Sequence, residues 1–515
     1  MQKTFDKPAM QVVPGTVEED RAFEDLKTNF LEQYNTVFPN TLAQRTVVVV
    51  PSLTLDKEML KQIKGVIHYE ERMLCMLMLL RMPRTNVVYI TSVPVADSII
   101  DYYLHMLPGI AGHHARSRLT MLSCHDASNI PLAQKIMTRP RLIARIKAHI
   151  PHLSTAHLSC YNITDAEKSL AVQLGIPIYG TDPAKFYEGT KSGSRKTFRE
   201  SGVCLPDGFE DLYTRADIAH ALAVLKRQNP SRQKAVVKMN DGFSGDGNAI
   251  YHYANLDSYD LALEAAIDQS FGQYLKPISP NLPLEEFFEK FTQMGGIVEA
   301  FVEGMFKASP SVQCIITPNG NVQLVSTHDQ VLGGDDGQIF VGAIFPASAE
   351  YSTTVAAEAL KIAQTMVKKG ALGRMAIDFI SVKEASEAWV HYAIEINLRK
   401  GGTTHPYLML QFLTDGHYNA ETGEYLTASG NKCFYFASDN VVNPCYAGLT
   451  PDDLMEIAAF HQLMFSAASQ EGVMLHMVGG ISQYGKLGMV CIGSSPERAR
   501  AFFDQTIEIL NAECS

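Results

Sequence analysis

Two candidate strands, residues 373–380 and 388–398, constrain the fold of this chain more than any other feature. They read GRMAIDFI and AWVHYAIEINL, and each alternates between two kinds of side chain, as an extended chain with unlike faces does. The second strand runs into Gly401 and Gly402, whose small size lets a backbone approach a ligand closely. Its predicted polar face consists of Glu395, Asn397 and Arg399. Its predicted apolar face consists of Ile394, Ile396 and Leu398.

A hairpin between these strands would bring two carboxylates together. If the hairpin is centred near Ser386 and Glu387, Asp378 lies beside Glu395 on one face of the sheet. Two adjacent carboxylates repel each other unless a cation lies between them. Residues two apart in a strand are separated by about 6.5 Å, so the unequal side chains of Glu395 and Asn397 can converge on one ion.

This set of oxygen atoms fits Mg²⁺ best. Mg²⁺ commonly takes one or two carboxylates and completes its shell with water and substrate phosphates, whereas Ca²⁺ needs more oxygens. Zn²⁺ would need His or Cys ligands, which this pattern lacks. The alternative is a structural ion pair between Glu395 and Arg399, and these residues alone leave both interpretations open.

A glycine-rich segment, VVKMNDGFSGDGN, adds a candidate phosphate site. Lys238 ends its apolar strand, and the loop that follows contains Gly242, Ser244, Gly245 and Gly247. Glycines expose backbone N–H groups to an anion, and a lysine at the base of the loop supplies a point charge. The pattern is not that of the common P-loop, G-x-x-x-x-G-K-[ST], which is therefore excluded.

A third element, IVEAFVEG, is compatible with adenine recognition. We predict an edge strand in which the Glu299 carboxylate meets an adenine amino group while the backbone at Phe301 and Val302 contacts the ring edge. Amphipathic edge strands are common, so this interpretation depends on the other two elements.

Composition restricts the class of protein. The chain has 515 residues, enough for three or four domains, and a formal charge of −11, which argues against a general nucleic-acid binder. MLCMLMLL at 73–80, its longest dense apolar stretch, is far too short to span a bilayer and predicts a buried helix. Nine scattered cysteines without a C-x-x-C pair, together with a start that does not resemble a signal peptide, predict reduced thiols in a soluble cytoplasmic protein.

The order of strand and helix patterns predicts a multidomain α/β and α+β protein. Up to about residue 185, apolar strands such as TVVVVPSL alternate with helical patterns, which is typical of a parallel sheet. No G-x-G-x-x-G follows the first strand, so a dinucleotide site has no support. Antiparallel hairpins follow, one with an Asn319-Gly320 turn, and the tail from Thr450 reads as a small α-β-β-α module.

These elements, in this order, resemble the ATP-grasp superfamily. More narrowly, GTKSGSRKTFRESGVCLPDG, VVKMNDGFSGDGNA, STHDQVLGG and AIEINLRKGGTTHPYLMLQFLTDGHY resemble the peptide ligases of pheganomycin-type biosynthesis and the ATP-grasp region of an animal IQ-motif protein. The resemblance implies an ATP-grasp fold flanked by a Rossmann-like pre-ATP-grasp domain and a small C-terminal domain. The implied boundaries are 1–185 for the first domain, 186–290 and 291–445 for the two ATP-grasp lobes, and 446–515 for the last domain.

The same resemblance implies a role for each matched residue. Two lysines would bind ATP phosphates beneath a loop at 241–247, the hinge strand would hold adenine, and an acid near its end would hold ribose. Two Mg²⁺ ions, for which Mn²⁺ would substitute, would each be held by two side chains, and an arginine would face the transferred phosphate and the acyl group. The phosphate-binding lysines are Lys191 and Lys238, the adenine residues are Glu299, Phe301 and Val302, and the ribose acid is Glu303. Asp378 and Glu395 would hold one Mg²⁺, and Glu395 and Asn397 the second. Arg399 is the arginine, and Arg399, Lys238 and Glu395 form the catalytic set.

The implied reaction is ATP-dependent ligation of a carboxylate to an amine through an acylphosphate, in the biosynthesis of peptide-like metabolites. The partners would be a small carboxylic acid or amino acid and an amine or peptide, and the resemblance favours a homodimer. Two alternatives remain: a ligase that uses a thiol or hydroxyl nucleophile, and a non-catalytic nucleotide-binding protein. His328, Asp329 and His405 either orient a substrate or fill polar positions in the fold.

Overall fold

The computed structural model describes residues 12–54, 60, 63–242, 247–253, 262–279, 282–333, 339–385 and 387–514. Ser244 and Gly245 of the predicted phosphate loop, and Ser386 at the predicted hairpin centre, lie outside these ranges. Within them the strands form sheets of four, five, nine and two members.

The strands are β1 (Arg45–Val50), β2 (Thr85–Thr91), β3 (Leu119–Ser123), β4 (Ala156–Cys160), β5 (Gly208–Leu212), β6 (Lys234–Met239), β7 (Asn248–His252), β8 (Leu275–Pro277), β9 (Gly296–Ala300), β10 (Phe306–Ala308), β11 (Pro310–Ile316), β12 (Val322–Gly333), β13 (Ile339–Phe345), β14 (Gly373–Lys383), β15 (Val390–Asn397), β16 (His417–Asn419), β17 (Glu424–Leu426), β18 (Phe434–Val442), β19 (Gly472–His476) and β20 (Lys486–Gly493).

The α-helices are α1 (Val17–Thr36), α2 (Asp97–His105), α3 (Gly112–Arg116), α4 (Leu132–Met137), α5 (Pro140–Ala148), α6 (Asp165–Leu174), α7 (Lys191–Ser201), α8 (Arg215–Gln228), α9 (Leu263–Tyr274), α10 (Leu284–Met294), α11 (Ser352–Lys368), α12 (Thr404–Thr414), α13 (Pro451–Phe460), α14 (Ile481–Tyr484) and α15 (Pro496–Glu513). The 3₁₀ helices are Val66–Arg81, Leu153–Thr155, Pro183–Gly189, Pro444–Gly448 and Val478–Gly480.

The N-terminal sheet is parallel, as predicted, with strand order β3-β2-β1-β4. The run RTVVVV of β1 is buried along its whole length because helices cover both faces of a parallel sheet. The MLCMLMLL stretch lies within the helix Val66–Arg81, where Leu74 and Leu80 are fully buried. In the part of the chain that the structure describes, no helix is both long enough and apolar enough to cross a membrane.

The five-stranded sheet corrects one prediction. Its order is β5-β9-β6-β7-β8, so β9, which carries Glu299, is paired on both sides and is not an edge strand. The neighbour that covers it, β5, has the sequence GFEDL, in which only Phe209 and Leu212 are large apolar residues. The pattern of β5 is too polar to indicate a strand, so the sequence alone predicts a free edge for β9.

The nine-stranded sheet contains the predicted hairpins. Its order is β10-β14-β11-β12-β13-β18-β20-β19, and β15 also pairs with β14. The turn between β11 and β12 places Gly320 at φ +76°, a left-handed conformation that glycine adopts without strain. The tail contains the predicted helix, two strands and helix, with Thr450 and Ser495 as helix caps, and the short helix α14 lies between its two strands. Its strands β19 and β20 extend this large sheet through β18 instead of forming a sheet of their own.

Two cysteines depart from the expectation of reduced thiols. Cys445 and Cys514 form a disulfide that joins the start of the tail to its end. The other seven cysteines are free, and among them only Cys204 is exposed. The expectation is wrong for this one pair because residues 69 positions apart meet where α15 packs near Pro444–Gly448, a proximity that sequence spacing does not reveal.

His328 is predicted to make the fold sensitive to acid. Its ring lies against Phe345, Tyr435 and Tyr407, and burial lowers the pKa of His328 to about 3. The unfolded chain binds a proton below about pH 6.5, so stability falls as pH drops from there towards 3. Between pH 7 and pH 5 we expect the free energy of unfolding to fall by about 2 kcal/mol less in His328→Leu than in the wild type, measured by urea unfolding.

The control for this prediction is His220→Leu, because the exposed His220 pairs with Glu264 at the surface. This variant is expected to keep the wild-type loss between the two pH values. An unchanged loss in His328→Leu would show that His328 is not held neutral in the folded chain.

Candidate active site

A cavity of about 760 Å³ lies between the five-stranded sheet, the nine-stranded sheet and the N-terminal domain. Most of the predicted site residues line it. They are Lys191, Lys238, Gly242, Gly247, Asp378, Glu395, Asn397 and Arg399, together with Gly401 and Gly402.

The two predicted carboxylates are neighbours. Strands β14 and β15 pair antiparallel with Asp378 opposite Glu395, which confirms the predicted register. The register shifts beside this pair, so that Phe379 is opposite Ala393 and Ile394 is an extra residue. Because of this bulge, Ile394 lines the cavity, and the prediction that it belongs to the opposite, apolar face is wrong.

Asp378 is held by two amide side chains. Its Oδ1 accepts a hydrogen bond from Gln330 Nε2 and its Oδ2 accepts one from Asn397 Nδ2, both at 3.1 Å. Burial, and then the negative charge of Glu395, raises the pKa of Asp378 to about 6. The protonated form of Asp378 is therefore favoured by its buried position and by the neighbouring carboxylate.

Glu395 pairs with a lysine from another element. Its Oε1 lies 3.1 Å from Lys191 Nζ, so the alternative ion pair with Arg399 is not the one that forms. Burial opposes ionisation of Glu395, but Lys191 and Arg399 outweigh it and hold the pKa of Glu395 below its ordinary value. The Arg399 guanidinium donates a hydrogen bond to the backbone carbonyl of Lys400 at 3.3 Å. Arg399 also lines the cavity, as Lys191 and Glu395 do.

Lys191 is the first residue of α7, although the sequence KSGS reads as a turn. Thr190 caps this helix by accepting a hydrogen bond from the Gly193 backbone at 3.1 Å. A Cβ atom at Gly193 would lie 1.9 Å from the Tyr187 carbonyl oxygen, so only glycine fits there. The small residues in this segment thus allow the helix to begin close to the site.

Lys238 belongs to a buried ion network. Its ammonium group pairs with Glu299 Oε1, and Glu299 Oε2 lies 3.0 Å from Arg195 Nη1. Glu299 is only 2% exposed, and it does not line the cavity. The structure therefore holds the carboxylate predicted to meet adenine in this network instead of at the cavity surface.

The remaining nucleotide-binding candidates are placed less centrally. Gly242 and Gly247 flank the cavity, at the ends of the loop whose Ser244 and Gly245 lie outside the described ranges. Phe301 and Val302 are half-buried and Glu303 is exposed, and none of these three lines the cavity.

His328, Asp329 and His405 make contacts within the fold. His328 is buried among aromatic rings, and Asp329 accepts hydrogen bonds from Ser348 N and Tyr351 OH at 2.8 and 2.7 Å. His405 is buried against His476, with their Nε2 atoms 3.2 Å apart. This arrangement favours the structural interpretation of these residues.

A group of charged and aromatic residues in the cavity wall was not predicted. Tyr69, Arg72 and Tyr161 reach the wall from the N-terminal domain, and Asp439 and Lys486 reach it from β18 and β20. No motif connects these residues, which are up to 417 positions apart. Only the density of charge in otherwise apolar segments, such as HYEERMLCMLMLL, could have drawn attention to them.

The residues present fit Mg²⁺. Asp378, Glu395 and Asn397 offer carboxylate and amide oxygens on adjacent strands, and a cation between the two carboxylates would offset their mutual repulsion. Among the described residues, no group of three or more His, Cys, Asp or Glu side chains is arranged to hold a metal. A set with only two carboxylates suits Mg²⁺ that also binds substrate phosphates.

Sequence comparison agrees with this geometry. Residues 183–279 and 283–421 match the family described as "IQCH-like, ATP-grasp", and residues 453–504 match the PGM1 C-terminal domain. The region from residue 183 to 421 is therefore an ATP-grasp region of the IQCH-like type, and the tail is a domain of the PGM1 type.

Two relatives share most of the chain. L-propargylglycine–L-glutamate ligase of Streptantibioticus cattleyicolor is 26% identical over 92% of this chain and 95% of its own length. IQ motif-containing protein H of Danio rerio is 24% identical over 75% of this chain, which spans only 40% of that protein.

Solved structures share the fold. The ADP complex of N5-carboxyaminoimidazole ribonucleotide synthetase superposes with a TM-score of 0.52 at 12% identity, covering 92% of this chain and 98% of that one. Biotin carboxylase of Campylobacter jejuni, in its beta-gamma-ATP complex, gives 0.55 at 11% identity, covering 91% and 92%. These likenesses confirm the multidomain ATP-grasp architecture predicted from the sequence.

Proposed function

We propose that the protein is an ATP-dependent carboxylate–amine ligase that forms an amide bond through an acylphosphate. The observation that carries this proposal is the pairing of Asp378 with Glu395 in a cavity also lined by Lys191, Lys238 and Arg399. Such a cavity is suited to bring the phosphates of ATP next to an anionic acid, because its cations and a bound divalent ion offset the combined negative charge.

The reaction would proceed in two balanced steps. A carboxylate oxygen of the acid attacks the γ-phosphorus of ATP, and the bond to the bridging oxygen breaks to release ADP. The amine nitrogen then attacks the acyl carbon, the bond to phosphate breaks, and the amine loses a proton. Arg399 would stabilise the transferred phosphoryl group and the acyl oxygen, while Lys191 and Lys238 bind the phosphates of ATP.

Asp378, Glu395 and Asn397 would hold two Mg²⁺ ions, with Mn²⁺ as a substitute. Bound there, the metal would neutralise phosphate charge and align the reacting oxygens. Lys191 pairs with Glu395 in the structure, so this carboxylate has a cation beside it. When ATP binds, the Lys191 ammonium group would exchange its ion pair with Glu395 for one with an ATP phosphate.

The nucleotide base and ribose would lie beside β9. Phe301 and Val302 follow this strand, and we propose that their backbone contacts the adenine edge, with Glu303 near the ribose. The Glu299 carboxylate, which lies in the buried ion network, would support this region through Lys238. The loop from Gly242 to Gly247 would close over the phosphates and limit hydrolysis of the acylphosphate.

The substrates would be amino-acid-like. The ligase of Streptantibioticus cattleyicolor is named for L-propargylglycine and L-glutamate, and its alignment covers 92% of this chain. We therefore propose a small acid or amino acid and an amine or peptide as partners, in a homodimeric cytoplasmic enzyme of specialised metabolism.

The test is ADP formation from purified protein with Mg²⁺, ATP and pairs of amino acids. We expect ADP release that depends on both partners and an amide product of matching mass. Hydroxylamine would trap the acylphosphate as a hydroxamate when the amine is omitted. Hydroxamate without amide from any amine would favour a thiol or hydroxyl nucleophile, and ATP binding without ADP release would favour a non-catalytic nucleotide-binding protein.

A further inference from the structure

Lys400 is a partly buried lysine beside the candidate active site that the proposed chemistry does not use. It follows Arg399 directly, but Arg399 lines the cavity and Lys400 does not. Its side chain instead reaches the N-terminal domain. There its Nζ donates hydrogen bonds to the backbone carbonyl of Cys160 and to the hydroxyl of Ser159, the second at 3.4 Å. Lys400 therefore connects the end of β15 to the end of β4.

The charge of Lys400 is not offset by an acid. Within the part of the chain that the structure describes, the ionisable groups that act on it are Arg374 and the thiols of Cys75 and Cys160, none of which is a carboxylate. Burial lowers the pKa of Lys400 to about 8, so the ammonium group is still protonated at pH 7. Placing an ammonium group against uncharged acceptors costs free energy that an apolar side chain of similar length would not. A role in packing alone therefore does not explain a lysine at this position.

The backbone of Lys400 is held at the same strand end as its side chain. Its N–H donates a hydrogen bond to the carbonyl of Tyr161 at 3.1 Å. Tyr161 follows β4 directly and lines the cavity, and the centre of its ring lies 4.7 Å from the Arg72 guanidinium. The side chain and the N–H of Lys400 thus both bind residues 159–161, so its main chain is fixed relative to the N-terminal domain.

The backbone of Lys400 in turn holds Arg399. The Lys400 carbonyl accepts a hydrogen bond from Arg399 Nη1 at 3.3 Å, which is the single hydrogen bond that this guanidinium makes to described residues. A long side chain loses rotamer freedom when it is held in one orientation, so a fixed acceptor favours that orientation before a ligand binds. Because β4 and Tyr161 fix the backbone of Lys400, they also fix the direction of this acceptor.

The rest of the loop that follows Arg399 is held by the nine-stranded sheet. The Gly401 N–H donates to Thr404 Oγ1 at 3.0 Å, and Thr404 Oγ1 donates to Gln313 Oε1 at 3.2 Å. Gln313 Nε2 also donates to Thr403 Oγ1 at 3.1 Å. These bonds fix residues 401–404 to β11, whereas Lys400 is the residue that both bonds to Arg399 and crosses to another domain.

We infer that Lys400 is a positioning residue, which orients the Arg399 guanidinium towards the transferred phosphoryl group by fixing the backbone between Arg399 and β4. The N-terminal domain thereby takes part in the chemistry, because it supplies the acceptors that hold Lys400. A displacement of about 1 Å in a group that contacts the reacting atoms costs on the order of a hundredfold in rate. This inference rests on the proposed function, because that function places Arg399 at the phosphoryl group.

The first test measures binding and needs no turnover. The affinity for ADP with Mg²⁺ is determined by calorimetry with and without aluminium fluoride, which mimics a phosphoryl group in transfer. The increase in affinity that aluminium fluoride causes in the wild type reports the contact that Arg399 makes. Lys400→Met keeps the length of the side chain but loses its donors. We expect it to reduce this increase at least about tenfold, while the affinity for ADP alone stays within about twofold.

The matched control is Lys226→Met. Lys226 is a buried lysine of α8 whose Nζ also donates to two backbone carbonyls, those of Pro230 and Arg232, at 2.7 and 2.9 Å. It does not line the cavity, so we expect this variant to lose stability in thermal unfolding and to keep the full effect of aluminium fluoride. If Lys400→Met does not fold, Lys400→Gln, which keeps a shorter donor without the charge, is judged by the same criteria.

Two outcomes of the binding test would overturn the inference. One is the same aluminium fluoride effect in the folded Lys400 variant as in the wild type. The other is the absence of any such effect in the wild type, because Arg399 would then not face a transferred phosphoryl group.

The second test asks whether Lys400 acts through Arg399. In single-turnover experiments Lys400→Met is expected to lower the rate of ADP formation about tenfold to a hundredfold, with the KM for ATP unchanged. In the Arg399→Met background the same substitution should lower the rate less than about twofold, because the group that it positions is gone. An equal reduction in both backgrounds would show a purely structural role and overturn the inference. A wild type that forms no ADP with any acid and amine pair would contradict the proposed function instead, and the binding test would still decide the role of Lys400.

Discussion

Glu395→Gln is expected to lower turnover on the order of a hundredfold to a thousandfold while leaving the fold intact. The substitution keeps the size of the side chain but removes one of the two carboxylates that would hold the metal. It also removes the charge of the carboxylate that pairs with Lys191 at 3.1 Å. Without this ion pair, Lys191 is no longer held beside β15. The measurement is the rate of ADP release at saturating ATP, with the acid and amine pair found active in the wild type.

Thermal unfolding of Glu395→Gln separates the metal site from a structural ion pair. We expect the free energy of unfolding to change by no more than about 1 kcal/mol, because the lost pair with Lys191 is partly exposed and repulsion with Asp378 is relieved. The control is Glu424→Gln, since Glu424 is a strand residue paired with Lys432 outside the cavity. A large loss of stability with turnover retained would favour the structural interpretation of Glu395.

Lys238→Met is expected to weaken nucleotide binding about tenfold to a hundredfold. Lys238 is the penultimate residue of β6 and lies at the cavity wall, where its ammonium group would make a charge-assisted contact with an ATP phosphate. The measurement is the affinity for a non-hydrolysable ATP analogue, determined by calorimetry with Mg²⁺ present. Unchanged affinity would remove Lys238 from the phosphate site.

Lys238→Met is also expected to lower the free energy of unfolding, because Lys238 belongs to the buried ion network. Glu299 keeps only Arg195 as a partner, so we expect a loss of about 1–3 kcal/mol in the free energy of unfolding without nucleotide. The double variant Lys238→Met/Glu299→Gln should recover part of that stability but not the nucleotide affinity. Lys276→Met, on an exposed position of β8, is the control expected to change neither quantity.

The site was most predictable where it is local in sequence. The register of Asp378 with Glu395 followed from alternation and from the length of one hairpin, both of which are read directly from neighbouring residues. The bulge at Ile394 was not predicted, because a single extra residue leaves the apolar and polar pattern almost unchanged. The position of Lys191 on a helix was obscured by glycine and serine residues that usually indicate turns.

Long-range proximity accounts for the other errors. β9 was assigned a free edge because its neighbour β5 is too polar to be identified, and Glu299 was therefore expected at the surface. Arg72 and Asp439 are 367 positions apart, and no periodicity indicates that they meet. The proximity of Cys445 to Cys514 was hidden for the same reason. Contacts of this kind depend on how domains pack, which local patterns do not encode.

The continuation of the large sheet into the tail has a practical consequence. β18 pairs with β20 along residues 434–442, so a chain shortened before β19 would leave that strand with a bare row of N–H and C=O groups. Bare strand edges recruit other strands, and such a shortened chain would form aggregates instead of a smaller enzyme. Expression trials and domain exchanges therefore need breakpoints that keep β18, β19 and β20 together.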